Sequence, residues 1–131
     1  MIISNLKYIS IFDNAGKGRT NYGPVKKVSA LSNHVTVGCF RDARVSENGE
    51  NYKGYKVLVV AQNPTKDIES RLTLDASVTS ITVTQNNVTK VVDLNNLLDY
   101  TLEGENGIKL TYSSGSLTLN IPEGEALLIE F

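Results

Sequence analysis

The chain closes on GSLTLNIPEGEALLIEF, Gly115 to Phe131. Leu117, Leu119 and Ile121 alternate with Ser116, Thr118 and Asn120; beyond a proline–glycine corner, Leu127, Ile129 and Phe131 alternate again. Successive side chains of a strand point to opposite sides, so a period of two gives one apolar face and one polar face. Two such strands around PEGE (Pro122 to Glu125) are the unit of an antiparallel sheet wetted on one side only.

The same pattern runs upstream. In DIESRLTLD, Ile68, Leu72 and Leu74 share a face against Glu69, Arg71, Thr73 and Asp75. SITVTQ turns Ile81 and Val83 inward, and GIKLTYS offers Ile108, Leu110 and Tyr112. HVTVGCF places Val35, Val37 and Cys39 on one face and Phe40 on the other. GYKVLVVAQN is apolar on both faces through Tyr55, Val57, Val59 and through Leu58, Val60, which predicts a central strand covered on both sides. Turn residues separate these runs: Asn86-Asn87, which tolerate the positive φ of a tight hairpin, Ser113 to Ser116, and Pro64, which cannot donate to a ladder. The fold class is therefore all-β, an antiparallel sandwich of about eight to nine strands. Its predicted core holds Val37, Val57, Val59, Leu72, Leu74, Ile81, Val83, Leu110, Leu119 and Ile129. DLNNLLDYTLEG reads as an irregular crossover between strands. Residues 1–131 form a single sandwich domain, with 1–33 a looser strand-and-loop region and 34–131 the main sandwich.

At 131 residues the chain can bury about two-thirds of its unfolded surface, so it needs neither a metal nor a disulfide to fold. Its one cysteine, Cys39, excludes an internal disulfide. A net charge of −1 provides no field for gathering nucleic acid or an anionic membrane, and no stretch approaches the roughly 20 apolar residues of a membrane-spanning helix. The opening MIISNLKYISIF has no basic cluster and a broken apolar run, a poor match to a signal peptide.

Residues suited to chemistry are scattered. Glu103 with Glu105, and Glu123 with Glu125, form carboxylate pairs, but loop and turn positions keep both members solvated and unsuited to general acid catalysis. His34, the sole histidine, and Cys39 are five residues apart on one strand and so face opposite ways, which disfavours a nucleophile–base dyad. The glycines of NAGKGRTNYG match no phosphate-binding spacing, and no helix start follows them. Asp13, Asn14, Asp42 and Asp67 lack the regular spacing of a calcium loop. Asn87-Val88-Thr89 matches a glycosylation acceptor, but Asn87 is accounted for by the hairpin. No catalytic, cofactor-binding or metal-binding residue is assigned, and no cofactor is expected.

The order VGCFRD, GYKVLVVAQNPTKD, LTLD, VTSITV, VVDL and GSLTLNIPEGEALLIEF resembles the C-terminal all-β accessory domains of bacterial glycoside hydrolases. Val37, Gly38, Phe40 and Asp42 match the first motif of those domains, and Tyr55, Val59, Val60 and Asn63 the second. Leu117, Leu119, Ile121, Pro122, Gly124 and Leu128 match the closing one, with Glu123 where the family has its glycine. The resemblance implies a non-catalytic domain packed against a catalytic barrel, in a parent that is secreted, periplasmic or on the cell surface. The partner implied is that catalytic domain, with no nucleic acid and no membrane. The alternative is a carbohydrate-binding module that holds a polysaccharide through loop tyrosines. Tyr22, Tyr52 and Tyr100, with Arg19 and Asn21 beside them, are the residues for that role, since sugar C–H faces stack on flat rings.

Overall fold

Alternation in the sequence becomes alternation of burial along the strands. The computed structural model describes residues 6–13, 24–30, 35–42, 52, 54–61, 68–95 and 98–131. In chain order these contain β1 (Leu6–Asp13), β2 (Val25–Ala30), β3 (Val35–Asp42), β4 (Tyr55–Ala61), β5 (Ile68–Leu74) and β6 (Ser80–Gln85). β7 (Val88–Asp93), β8 (Leu98–Thr101), β9 (Lys109–Ser113), β10 (Ser116–Ile121) and β11 (Ala126–Glu130) follow. One sheet runs β1-β3-β4-β11-β6-β7 and the other β2-β5-β10-β9-β8, with every pairing antiparallel. The fold is an all-β sandwich.

Register aligns the inner rows. Val57, Ile129 and Val83 are in line across three strands of the six-stranded sheet. Val28, Leu72, Leu117 and Tyr112 are in line across the five-stranded sheet. All ten residues predicted for the core are buried, with Ile108, Leu117, Ile121 and Leu127 beside them. Each fully buried Leu or Ile contributes about 1.5–3 kcal/mol relative to an exposed one, so the rows together hold the sheets face to face. Ser70, on the inner face of β5, has a fully buried hydroxyl with no partner among the described residues.

Among the described residues there are eleven strands, not eight or nine. The additions are β2, in VKKVSA, and β8, in LDYT, which lies inside the segment read as a crossover. Both are short edge strands whose apolar spacing is irregular, and their form is decided by pairing with β5 and β9. Residues 6–13 and 25–30 also belong to the sandwich, since β1 is an edge of one sheet and β2 an edge of the other. β4 is central as predicted, between β3 and β11, but its second face is not fully covered. Lys56, Leu58 and Val60 are half-buried.

The turns follow their residue chemistry. Asn86, the first central residue of its hairpin turn, takes φ 54°, and the Ser114-Gly115 turn takes φ 51° and 84°, positive at both central positions as a type I′ hairpin requires. In PEGE the Glu125 N–H donates to the Pro122 carbonyl (3.1 Å), with Gly124 at φ 73°. That is a type II turn, whose third position needs positive φ, so the glycine falls at 124 and not directly after the proline.

Candidate functional site

The two outward faces of the sandwich differ. On the six-stranded sheet, Leu58 pairs with Gly38 and Leu128, and Val60 with Thr36 and Ala126. The ring of Phe40 lies over Gly38, where an added Cβ would meet it at 3.1 Å. Phe40, Leu58, Val60 and Ala126 are half-buried and Leu128 is 8% exposed, so an apolar stripe crosses three adjacent strands on the outside. Lys56 and Glu130 border it with an ion pair at 3.4 Å, and Val91, 64% exposed, extends that row toward the β7 edge through Thr82. At the strand ends a depression of about 520 Å³ is lined by Val78, Ser80, Ile81, Thr82, Glu130 and Phe131, among others.

The outward face of the five-stranded sheet is polar. Arg71, Thr118, Thr111 and Asp99 are in line across β5, β10, β9 and β8. With Tyr112, Ser113 and Ser116 they line an open depression of about 590 Å³. The Arg71 Nε–H donates to Thr118 Oγ1 at 3.4 Å, and Lys109 lies 3.6 Å from Asp99.

The loop tyrosines separate. Tyr52 donates its hydroxyl proton to Asp75 Oδ2 (3.1 Å) and accepts from Lys26 Nζ (3.4 Å), and its ring meets Tyr55 edge-on at 5.6 Å. Tyr100 is not in a loop. It sits on β8 at the far edge of the sheet, with the Lys90 ammonium 5.6 Å over its ring. Lys90 belongs to β7, so this cation–π contact spans the two sheets at their open side. Tyr52 lies by β2 and the end of β5, whereas Tyr100 is three strands beyond β5, about 14 Å across the sheet by strand spacing alone. The two tyrosines do not form one patch, and each ring already has a partner. Tyr22, Arg19 and Asn21 lie outside the described residues, as do His34 and the Cys39 side chain.

Around Tyr52 the ionised groups are tied together. Asp75 Oδ1 accepts from the Ser77 backbone N–H (2.9 Å) and hydroxyl (2.7 Å), and Oδ2 lies 3.2 Å from Lys26 Nζ. The Ser77 bonds, aided by those from Lys26 and Tyr52, pull the Asp75 carboxyl from 3.8 down to about 2. Burial acts to lower the Lys26 pKa, but its bonds to Tyr52 and Asp75 outweigh this and hold it above 10.5. A depressed carboxylate pKa contributes stability above the unfolded value, lost as pH falls through the folded one. Stability should therefore decline between pH 3.8 and about 2. The Asp75 side chain is 26% exposed, so solvent screening limits the contribution to on the order of 1 kcal/mol. Asp75→Asn should lose that amount at pH 7 and flatten the acid limb of urea-unfolding free energies measured against pH.

The carboxylate pairs of the sequence resolve into turn structure. Glu125 Oε1 accepts from Gln85 Nε2 (2.6 Å) and Asn86 Nδ2 (3.1 Å), while Glu103 and Glu105 are exposed in the 102–108 loop. Gln85 is the buried residue that sequence reading missed. It is 3% exposed, donates also to the Asn106 carbonyl (2.7 Å) and accepts from the Ile108 N–H (2.8 Å). Its place at the end of SITVTQ, in line with Ile81 and Val83, was the available signal. Among the described residues no three His, Cys, Asp or Glu side chains group to hold a metal ion.

The class defined by this geometry is an antiparallel two-sheet β-sandwich with an apolar stripe on one outer face and a polar trough on the other. No family model, curated protein or solved structure matches the chain.

Proposed function

We propose that this chain is a non-catalytic accessory β-sandwich of a carbohydrate-active enzyme, packing against that enzyme's catalytic domain. The observation that carries the reading is the apolar stripe of Phe40, Leu58, Val60, Ala126 and Leu128 on an outward sheet face. A sandwich wetted on both sides would carry polar residues at these alternating positions, as its other sheet does. Contiguous apolar surface of that kind marks an interaction site. The resemblance of the motif order to that of glycoside hydrolase accessory domains supports the catalytic domain as the occupant.

The test is the association state of the purified chain, followed by addition of its parent's catalytic domain. Sedimentation velocity should show concentration-dependent self-association or docking to the added domain. The double replacement Leu58→Lys, Val60→Lys should abolish either one while thermal melting stays cooperative. A chain that remains monomeric and ignores the catalytic domain would refute the reading.

A further inference from the structure

From the polar face of the five-stranded sheet we infer that the Arg71–Asp99 trough is a binding site for a neutral oligosaccharide. This site is separate from the apolar stripe, which lies on the other sheet, and does not depend on what that stripe contacts.

The trough is defined by register. Arg71, Thr118, Thr111 and Asp99 stand side by side on β5, β10, β9 and β8, a span of about 14 Å across three strand spacings. Ser116 and Ser113 form the next pair along the strands and complete the roughly 590 Å³ depression, while the ring of Tyr112, next to Ser113 in sequence, packs inward against the core. The floor is thus four hydroxyl side chains, with a guanidinium at one end and a carboxylate at the other.

These groups have unused hydrogen-bonding capacity. Arg71 makes one bond, through Nε to Thr118, which leaves its terminal nitrogens uncommitted among the described residues. The hydroxyls of Thr111, Ser113 and Ser116 likewise have no partner there, and Asp99 is 74% exposed with only the 3.6 Å contact to Lys109. A donor-only fork, an acceptor-only carboxylate and hydroxyls that do both are the complement of a ligand bearing many hydroxyl groups. Charge-assisted bonds at the two ends would fix its direction across the strands.

Other ligand classes fit less well. A protein partner needs buried aromatic or aliphatic anchors, and the outward side chains of the trough are Arg71, Asp99, Thr111, Thr118, Ser113 and Ser116, none of them apolar. Nucleic acid needs a surplus of cations, whereas Asp99 opposes Arg71 and Lys109 here and the chain carries a net charge of −1.

Affinity electrophoresis in gels cast with xylan, galactan, β-glucan, mannan or polygalacturonate tests this directly. The intact chain should be retarded by at least one of the four neutral polymers. Arg71→Ala and Asp99→Ala, both at exposed positions, should each weaken that retardation by about tenfold or more with melting unchanged, the loss expected of one charge-assisted bond. Leu58→Lys, Val60→Lys should leave it intact, so failure of the docking reading and failure of this one are told apart. The inference is overturned by no retardation in any neutral polymer, by retardation in polygalacturonate alone, or by retardation that survives both trough variants. Retardation lost only in Tyr22→Ala would likewise overturn it.

Discussion

Gly107→Ala should destabilise the protein by about 3 kcal/mol or more, the upper range for a steric insertion into packed structure. A Cβ at this position would run into the carbonyl oxygen of Leu102 and lie 2.9 Å from its carbon, with Thr101 Cγ2 at 3.4 Å. The obstacle is backbone, so no side-chain rotation relieves it. Leu102 and Ile108 are both buried, and the Leu102 N–H donates to the Ile108 carbonyl at 3.0 Å to close the loop. Opening the loop to admit a methyl group would pull both side chains from the core. Gly104, in the same loop, supplies the control. Its φ of 109° disfavours any side chain, but a Cβ there meets nothing within 4 Å. Gly104→Ala should cost only about 1–3 kcal/mol of backbone strain, and less than Gly107→Ala. Urea unfolding of the two variants checks the order. If Gly104→Ala proves the worse, the close approach of residues 102 and 107 is not what holds this loop.

Gln85→Leu is the second large effect, expected to cost about 2–4 kcal/mol despite similar volume. Gln85 joins three segments that are distant in sequence: the end of β6, the 102–108 loop, and the turn between β10 and β11. Leucine would leave the buried Ile108 N–H without its acceptor and remove a donor from both the Asn106 carbonyl and the Glu125 carboxylate. Leaving one partner unmet costs more than the bond itself contributes, because the desolvation of the orphan is not recovered. Gln85→Glu separates charge from shape. At neutral pH it would set a second carboxylate against Glu125 with no proton to share, and stability should fall by more than for leucine. Burial and the neighbouring Glu125 both raise the pKa of the introduced carboxyl, so on acidification it takes up a proton and regains a donor, and part of the loss should return. Thermal melts at pH 7 and pH 4 test the crossover. Identical losses for Gln85→Glu at both values would mean that the Glu125 contact is not formed in solution.

Both positions show where pattern reading stops. Gln85 was legible as an inward residue, because it continues the alternation of Ile81 and Val83, but its three partners lie in later loops that periodicity does not locate. Gly107 carries no signal in sequence, since a glycine in a loop is ordinary and only the nearby Leu102 carbonyl makes it necessary. The outward faces divide similarly. Leu58 and Val60 announced an apolar second face for β4, but Leu128, in line with Leu58 across the sheet, was hidden in the run Leu127-Leu128-Ile129. The Arg71–Asp99 trough is the extreme case, because its ends are supplied by strands 28 positions apart (99 − 71) and its floor by two others.

By itself the chain determined its all-β class, the inward face of most strands, the ten core residues and the residues that turn its hairpins. These are local properties: a period of two and a tolerated φ are set by neighbours in sequence. Tertiary pairing decided the strand order, the recruitment of VKKVSA and LDYT as edges, the parting of Tyr52 from Tyr100, and which outer face carries the apolar stripe. Those depend on which strand lies beside which, and a pattern that reports the direction of a side chain carries no information about the strand next to it.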